Sequence, residues 1–230
     1  MLNDTICAIA TADVMGAVSL IRISGDEAIG IAERLIGKDL YAVKGYSIVY
    51  GTIKDHGEPV DAVLVSVFRA PKSYTGEDVI EVGFHGGVYI THRILSLVMG
   101  QGARMARRGE FTQRAYLNGK MDLSQAEGVN DLINAKDSNA AKSAMHSLKG
   151  SVSAILAPLL EDLTQIISNI EVNIDYPEYD DVHQMTEDEI IPMCTKWLDG
   201  IHTVIEKAQA SAMVKDGIDT VILGRPNVGK

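Results

Sequence analysis

Apolar residues in the first half of the chain come in short runs broken by turn formers. Val18 to Ile23 is a β-branched run interrupted by one charge, Arg22, and it predicts a strand. Ser24-Gly25 marks a turn, after which Ile29, Ala32, Leu35 and Ile36 fall at helical spacing within Asp26 to Ile36. Ser47 to Ile53 and Ala62 to Phe68 read as strands, with a hairpin turn at Asp55-His56-Gly57 between them. Val79 to Phe84 predicts another strand, closed by Gly86-Gly87, and Val88 to Met99 a helix.

From Asp122 the period changes from two to between three and four. Ser124-Gln-Ala-Glu127, ahead of Val129, Leu132 and Ile133, carries the capping-box pattern of a helix start. Leu156, Leu159, Leu160, Leu163, Ile166, Ile167, Ile170 and Ile174 form the stripe of an amphipathic helix that stops near Asp175-Tyr176-Pro177. Cys194, Trp197, Leu198, Ile201 and Ile205 predict a third helix. Thr186-x-x-Glu189 can cap it if Pro192 is tolerated inside; otherwise it starts near Pro192. No strand pattern falls between Asp122 and Met213, so a mixed domain followed by a helical one is expected: an α+β chain.

Composition narrows the class. With 46% apolar residues among 230, the chain can bury a substantial core. No apolar run approaches the roughly 18 residues of a membrane span, and no secretory signal pattern opens the sequence. Cys7 and Cys194 are too few and too distant for a disulfide framework or a zinc site, which fits a reducing cytoplasm. A net charge of −10 disfavours general nucleic-acid binding, so any RNA contact needs a local patch. Arg104, Arg107, Arg108 and Arg114 are either that patch or a solvated loop and helix start. The acidic stretch from Asp175 to Glu189 lacks the alternating ligands and central Gly of a calcium loop and reads as a solvated connection.

The clearest chemistry lies at the far end. Thr220-Val-Ile-Leu223 predicts a short strand running into Gly224-Arg-Pro-Asn-Val-Gly229-Lys230. That is the phosphate-binding pattern G-x-x-x-x-G-K, one residue short of its Ser/Thr. Glycines let backbone N–H groups turn toward phosphate oxygens, Lys230 reaches the β- and γ-phosphates, and the missing hydroxyl would hold Mg²⁺. The chain reads as the front part of a longer protein, cut inside this loop.

Two further charges interrupt apolar strands. Arg22 shares a strand face with Val18 and Leu20, and Glu81 sits between Ile80 and Val82. They are either a structural ion pair, residues of a solvated sheet face, or the lining of a pocket for a polar ligand. Lys120, in Asn118-Gly119-Lys120, reads alone as a surface residue, and His85 as a hydrogen-bonded structural residue or a catalytic one.

Six stretches stand out together: Asp4-Thr-Ile, Ile21-Arg-Ile-Ser-Gly25, Ser73-Tyr-Thr-Gly-Glu-Asp-Val79 with Glu81 and His85-Gly-Gly87, Arg108-Gly-Glu-Phe-Thr-Gln-Arg-Ala115, Leu117-Asn-Gly-Lys-Met-Asp-Leu-Ser-Gln-Ala-Glu127 and the loop ending at Lys230. In these segments and in their order the sequence resembles the tRNA modification GTPase family called MnmE or TrmE. The resemblance implies an N-terminal domain over 1–119, similar to folate-binding aminomethyltransferase folds, that binds formyl-tetrahydrofolate and forms a homodimer. It implies an incomplete helical domain over 120–215 and the start of a Ras-like GTPase domain over 216–230. Arg22, Glu81 and Lys120 match the positions that bind 5-formyl-tetrahydrofolate; Asn227, Val228, Gly229 and Lys230 match GTP-binding positions, with Asn227 also at a K⁺ site. The implied activity is K⁺-dependent GTP hydrolysis. With the flavoprotein MnmG (GidA), it accompanies addition of an aminomethyl-type group to C5 of the wobble uridine of certain tRNAs. The present chain is expected to retain folate binding and dimerisation and to lack GTP hydrolysis.

The loop Thr11-Ala-Asp-Val-Met-Gly16 and Arg108, where the family has a Pro- and Gly-rich loop and a Pro, depart from the pattern. Two other readings compete: a stand-alone folate-dependent one-carbon transferase, and a non-catalytic dimerisation scaffold.

Overall fold

In a computed structural model, residues 4–175, 186–216, 221, 223 and 224 are described. The chain divides into two units, Met1–Met121 and Asp122–Lys230. The first is a six-stranded sheet of order β3-β4-β5-β2-β1-β6. The strands are β1 (Ile6–Ile9), β2 (Val18–Ser24), β3 (Ser47–Asp55), β4 (Glu58–Phe68), β5 (Val79–His85) and β6 (Arg104–Met105). All neighbours are antiparallel except β1 and β6. The β3–β4 hairpin turns on His56 and Gly57, both at positive φ (49° and 89°), as a tight two-residue loop requires.

The period-two pattern dictates the layering. Ile21, Ile23, Val63, Val65, Val67, Ile80, Val82 and Phe84 are buried on one sheet face. Helices α1 (Ala28–Ile36) and α2 (Val88–Gly100) supply Ile29, Leu35, Ile94 and Val98 to the same core. Residues one position away, including Leu20, Arg22, Leu64, Glu81 and Gly83, lie half-buried or exposed on the other face. Arg22 and Glu81 therefore share the open face, directly opposite each other in the β2–β5 register.

One helix of this unit, α3 (Glu110–Leu117), has no apolar signature; its buried positions include Glu110 and Arg114. Gly109, at φ 74°, turns the chain into it, and the Glu110 carboxylate accepts the N–H of Arg107 at 2.7 Å.

Every element described in the second unit is a helix: α4 (Leu123–Asn134), α5 (Ser138–Leu148), α6 (Ser151–Asp175) and α7 (Glu187–Asp216). The capping box of α4 falls two residues earlier than the sequence pattern indicated. Asp122, not Ser124, accepts the N–H of Gln125 at 2.8 Å, and Gln125 accepts the N–H of Asp122 at 2.9 Å. Both stretches satisfy the same spacing rule, and the aspartate also takes a hydrogen bond from Ser153. Helix α7 starts after Thr186, whose N–H donates to Glu189 at 3.0 Å, and it continues through Pro192. Where α6 and α7 meet, Trp197 Nε1 donates to the Leu159 carbonyl at 2.7 Å. No single helix among the described residues is long and apolar enough to cross a membrane.

The strand expected at Thr220–Leu223 is not seen at the described positions Val221 and Leu223, both exposed. A strand needs a neighbour to take its N–H and C=O groups, and among the described residues no strand pairs with Val221 or Leu223; Thr220 and Ile222 lie outside the described residues. Asn227, Val228, Gly229 and Lys230 lie outside the described residues.

Candidate functional site

The open face of β2 and β5 carries the candidate site. Arg22 Nε donates to Glu81 Oε1 at 2.8 Å and Nη2 lies 2.7 Å from the same oxygen. The side chains are 28% and 20% exposed, so the pair is reachable from solvent. Two aromatic rings approach the guanidinium: its central carbon is 5.3 Å from the Tyr74 ring centre and 5.6 Å from that of Phe111. Tyr74 comes from the β4–β5 loop and Phe111 from the first turn of α3. The Tyr74 hydroxyl and Thr112 Oγ1, 2.8 Å apart, tie the two together.

That loop is pinned from below. Thr75 is fully buried, and its hydroxyl shares a 2.7 Å hydrogen bond with Ser24, which also donates to Glu77 at 2.7 Å. Asn118 Nδ2 donates to the Thr75 carbonyl at 2.8 Å. Lys120 Nζ donates to the Pro71 carbonyl at 2.9 Å. Arg22 and Glu81 thus meet directly, whereas Lys120 is placed on the loop that carries Tyr74.

Beneath lies an ion-pair network. Arg114 is 1% exposed; it donates to the Asp4 carbonyl and carboxylate (2.8 and 2.6 Å) and to Glu77 (3.1 Å). Its Nε is buried without a partner. Arg104 grips Glu110 with two bonds, at 2.7 and 3.0 Å, and Asp4 with a third at 2.7 Å. Hydrogen bonding from Arg104 is the main cause holding the Glu110 carboxyl down at about 2, and it also lowers Asp4. Two arginines facing three carboxylates present no surplus of positive charge. Of the two readings left open for the four arginines, neither holds for all of them: Arg114 is a buried structural cation, Arg104 is a partly exposed one held by Asp4 and Glu110, and Arg107 and Arg108 extend into solvent.

His85 is held by Asp61, which takes its backbone N–H at 2.9 Å and sits 2.7 Å from its Nδ1. Gly86, next to it, meets the loop ahead of β2 so closely that a Cβ would lie 2.6 Å from the Gly16 carbonyl oxygen. Cys7, wholly buried in β1, has its thiol pushed up to about 11 by burial. Among the described residues no cluster of three His, Cys, Asp or Glu side chains could hold a metal. The site offers one acceptor carboxylate, one cation and two ring faces, which is equipment for recognising a flat, hydrogen-bonding solute.

Comparison with known proteins assigns the chain to a family. Residues 5–120 match the family described as GTP-binding protein TrmE N-terminus, and residues 123–221 match the MnmE helical domain. The chain belongs to the MnmE (TrmE) family. It is 44% identical over 230 residues to the tRNA modification GTPase MnmE of Bacillus cytotoxicus, covering 99% of this chain and 50% of that protein. The MnmE of Bacillus subtilis is 44% identical over 233 residues (99% and 51%), and that of Lactiplantibacillus plantarum 46% over 231 (99% and 50%). The chain spans about half the length of the curated MnmE relatives it matches.

Sequence reasoning found Arg22 and Glu81 because charges in apolar strands are conspicuous. It missed Tyr74 and Phe111 as their neighbours. The only available signal was that Tyr74 and Phe111 sit inside two of the segments that carry the family resemblance.

Proposed function

We propose that this chain is the front part of a GTPase that modifies tRNA, and that its first unit binds a tetrahydrofolate one-carbon unit through Arg22, Glu81 and Lys120. The observation that carries the folate reading is the solvent-reachable Arg22–Glu81 pair on the open sheet face, flanked by two aromatic rings. The donor set fits a folate: Glu81 can accept the amino and ring N–H of the pterin, while Arg22 and Lys120 can meet carbonyl and carboxylate oxygens of the tail. When bound, the folate supplies the one-carbon unit; the chain's own residues bind and orient it. In the longer protein, Asn227, Val228, Gly229 and Lys230 line GTP phosphates, Asn227 joins a K⁺ site, and Mg²⁺ is held beyond Lys230. Two chains pair through the first unit, later segments complete the helical unit, and the dimer works with the flavoprotein MnmG (GidA) on the wobble uridine of tRNA. These finer assignments follow from family membership and the resemblance of the motifs.

The test is calorimetric titration of Glu81→Gln with 5-formyl-tetrahydrofolate, alongside a melting curve. An amide places an NH₂ against a donor, so affinity is expected to fall by about 2–3 kcal/mol, the scale of a charge-assisted hydrogen bond. The partly exposed pair contributes only about 0–1 kcal/mol to stability, so melting should hardly move. Wild-type folate affinity with a large loss of melting temperature would instead make the pair purely structural.

A further inference from the structure

Glu81 uses only part of its acceptor capacity. Both Arg22 contacts fall on Oε1, and among the described residues no hydrogen bond reaches Oε2. The two rings near Arg22 are half-exposed in a pinned setting, Tyr74 by its hydroxyl and its buried neighbour Thr75, Phe111 by its place in α3. A planar N–C–N donor edge, facing a carboxylate and flanked by aromatic rings, is what arginine presents here. The 2-amino-3-NH edge of a pterin presents the same donor pair on a flat ring.

We infer that Tyr74 and Phe111 form an aromatic seat that the Arg22 guanidinium fills in the free chain and that a pterin-type ring takes over on binding. Glu81 passes its carboxylate from the arginine's N–H edge to that of the ligand, and Arg22 turns to the ligand's anionic tail. Glu81 stays paired throughout, so no step leaves a half-buried carboxylate without a donor. The exchange makes Arg22 a competitor for the ring and a partner for the tail, two roles that a single ligand cannot separate. The inference rests on the folate reading above for the identity of the ligand.

Two ligands separate the roles: 5-formyl-tetrahydrofolate, and 6-methylpterin, which has the ring without the tail. Each is titrated calorimetrically, to millimolar concentration, into the 230-residue chain and its variants. Tyr74→Leu and Phe111→Leu should each weaken both ligands about tenfold, the scale of a lost ring contact. Arg22→Met should tighten 6-methylpterin severalfold while weakening 5-formyl-tetrahydrofolate. Arg22→Lys, which keeps the charge but loses the planar edge, should tighten 6-methylpterin likewise and stands in if the methionine variant does not fold. Weaker or unchanged binding of 6-methylpterin by the folded Arg22 variant overturns the exchange, and unchanged affinity in both aromatic variants overturns the seat. If wild type takes neither ligand but an Arg22 variant takes 6-methylpterin, the seat stands and the folate reading falls; if no variant takes 6-methylpterin, the seat falls.

Discussion

The two units handle their apolar side chains very differently. In the first, Ile6, Ile21, Ile80 and Ile94 are wholly enclosed between a sheet and two helices. In the second, Ala144 and Ile166 are the buried apolar residues among those described, while Ile155, Leu160, Ile174 and Leu198 stand largely exposed along α6 and α7. A sheet covered by helices closes a core from local alternation alone. Long amphipathic helices need a further layer to cover their stripes. The first unit adds a second device, a charged network whose arginine is as buried as the isoleucines. Its stability thus depends on specific partners as well as on area.

The largest expected effect breaks that network. Arg114→Met should leave Asp4, Glu77 and Glu110 short of a cation and cost the first unit roughly 3–5 kcal/mol. Urea unfolding should show the sheet lost early and the helical signal retained. Equal destabilisation of both units would mean instead that they unfold together. Next comes acid. Glu110 has its carboxyl lowered from 4.5 to about 2, so its contribution is fully present above pH 4.5 and is lost as pH falls through about 2. The difference amounts to about 3 kcal/mol as an upper bound. Glu110→Gln should flatten the stability profile across that window; an unaltered acid limb would remove Glu110 as its cause.

Asp122→Ala should cost the helical unit about 1–2 kcal/mol through the lost cap of α4, with the sheet untouched. Smallest is Leu160→Gln. At an exposed position it should shift stability by no more than about 0.5 kcal/mol in this chain. In a full-length chain, where later segments are proposed to cover the helices, the same change should cost about 2 kcal/mol or more. A large loss in the short chain would mean that the stripe is already covered.

Legibility in the sequence divides along similar lines. Strands β2 to β5 and helices α1 and α2 were readable because their buried faces are apolar and regular. Their ends moved by a few residues, most at β4, which starts at Glu58 rather than Ala62. Helix α3 was not readable, because its inward positions are Glu110 and Arg114, residues whose burial only makes sense once Asp4 and Arg104 are beside them. Two-residue β6 has no pattern to find, and α5, Ser138–Leu148, is too polar to announce itself. At the site, Arg22 and Glu81 were visible as misfits in their strands. Tyr74 and Phe111 were not, since a loop and a helix distant along the chain bring them there. Mutual pairing of Arg22 and Glu81, left open by the sequence, is present in the fold.

The network's reach along the chain has a consequence for the order of folding. Asp4 finds its cations at Arg104 and Arg114, and β1 finds its outer neighbour in β6, about a hundred residues later. Such contacts repay the entropy of closing a long loop only once both ends exist. On the ribosome, the first strand must therefore wait, one edge unpaired, until β6 has emerged, and Asp4 lacks its second cation until α3 follows. Nascent chains halted with residue 100 exposed should be cut readily by protease, and those halted with residue 121 exposed should resist.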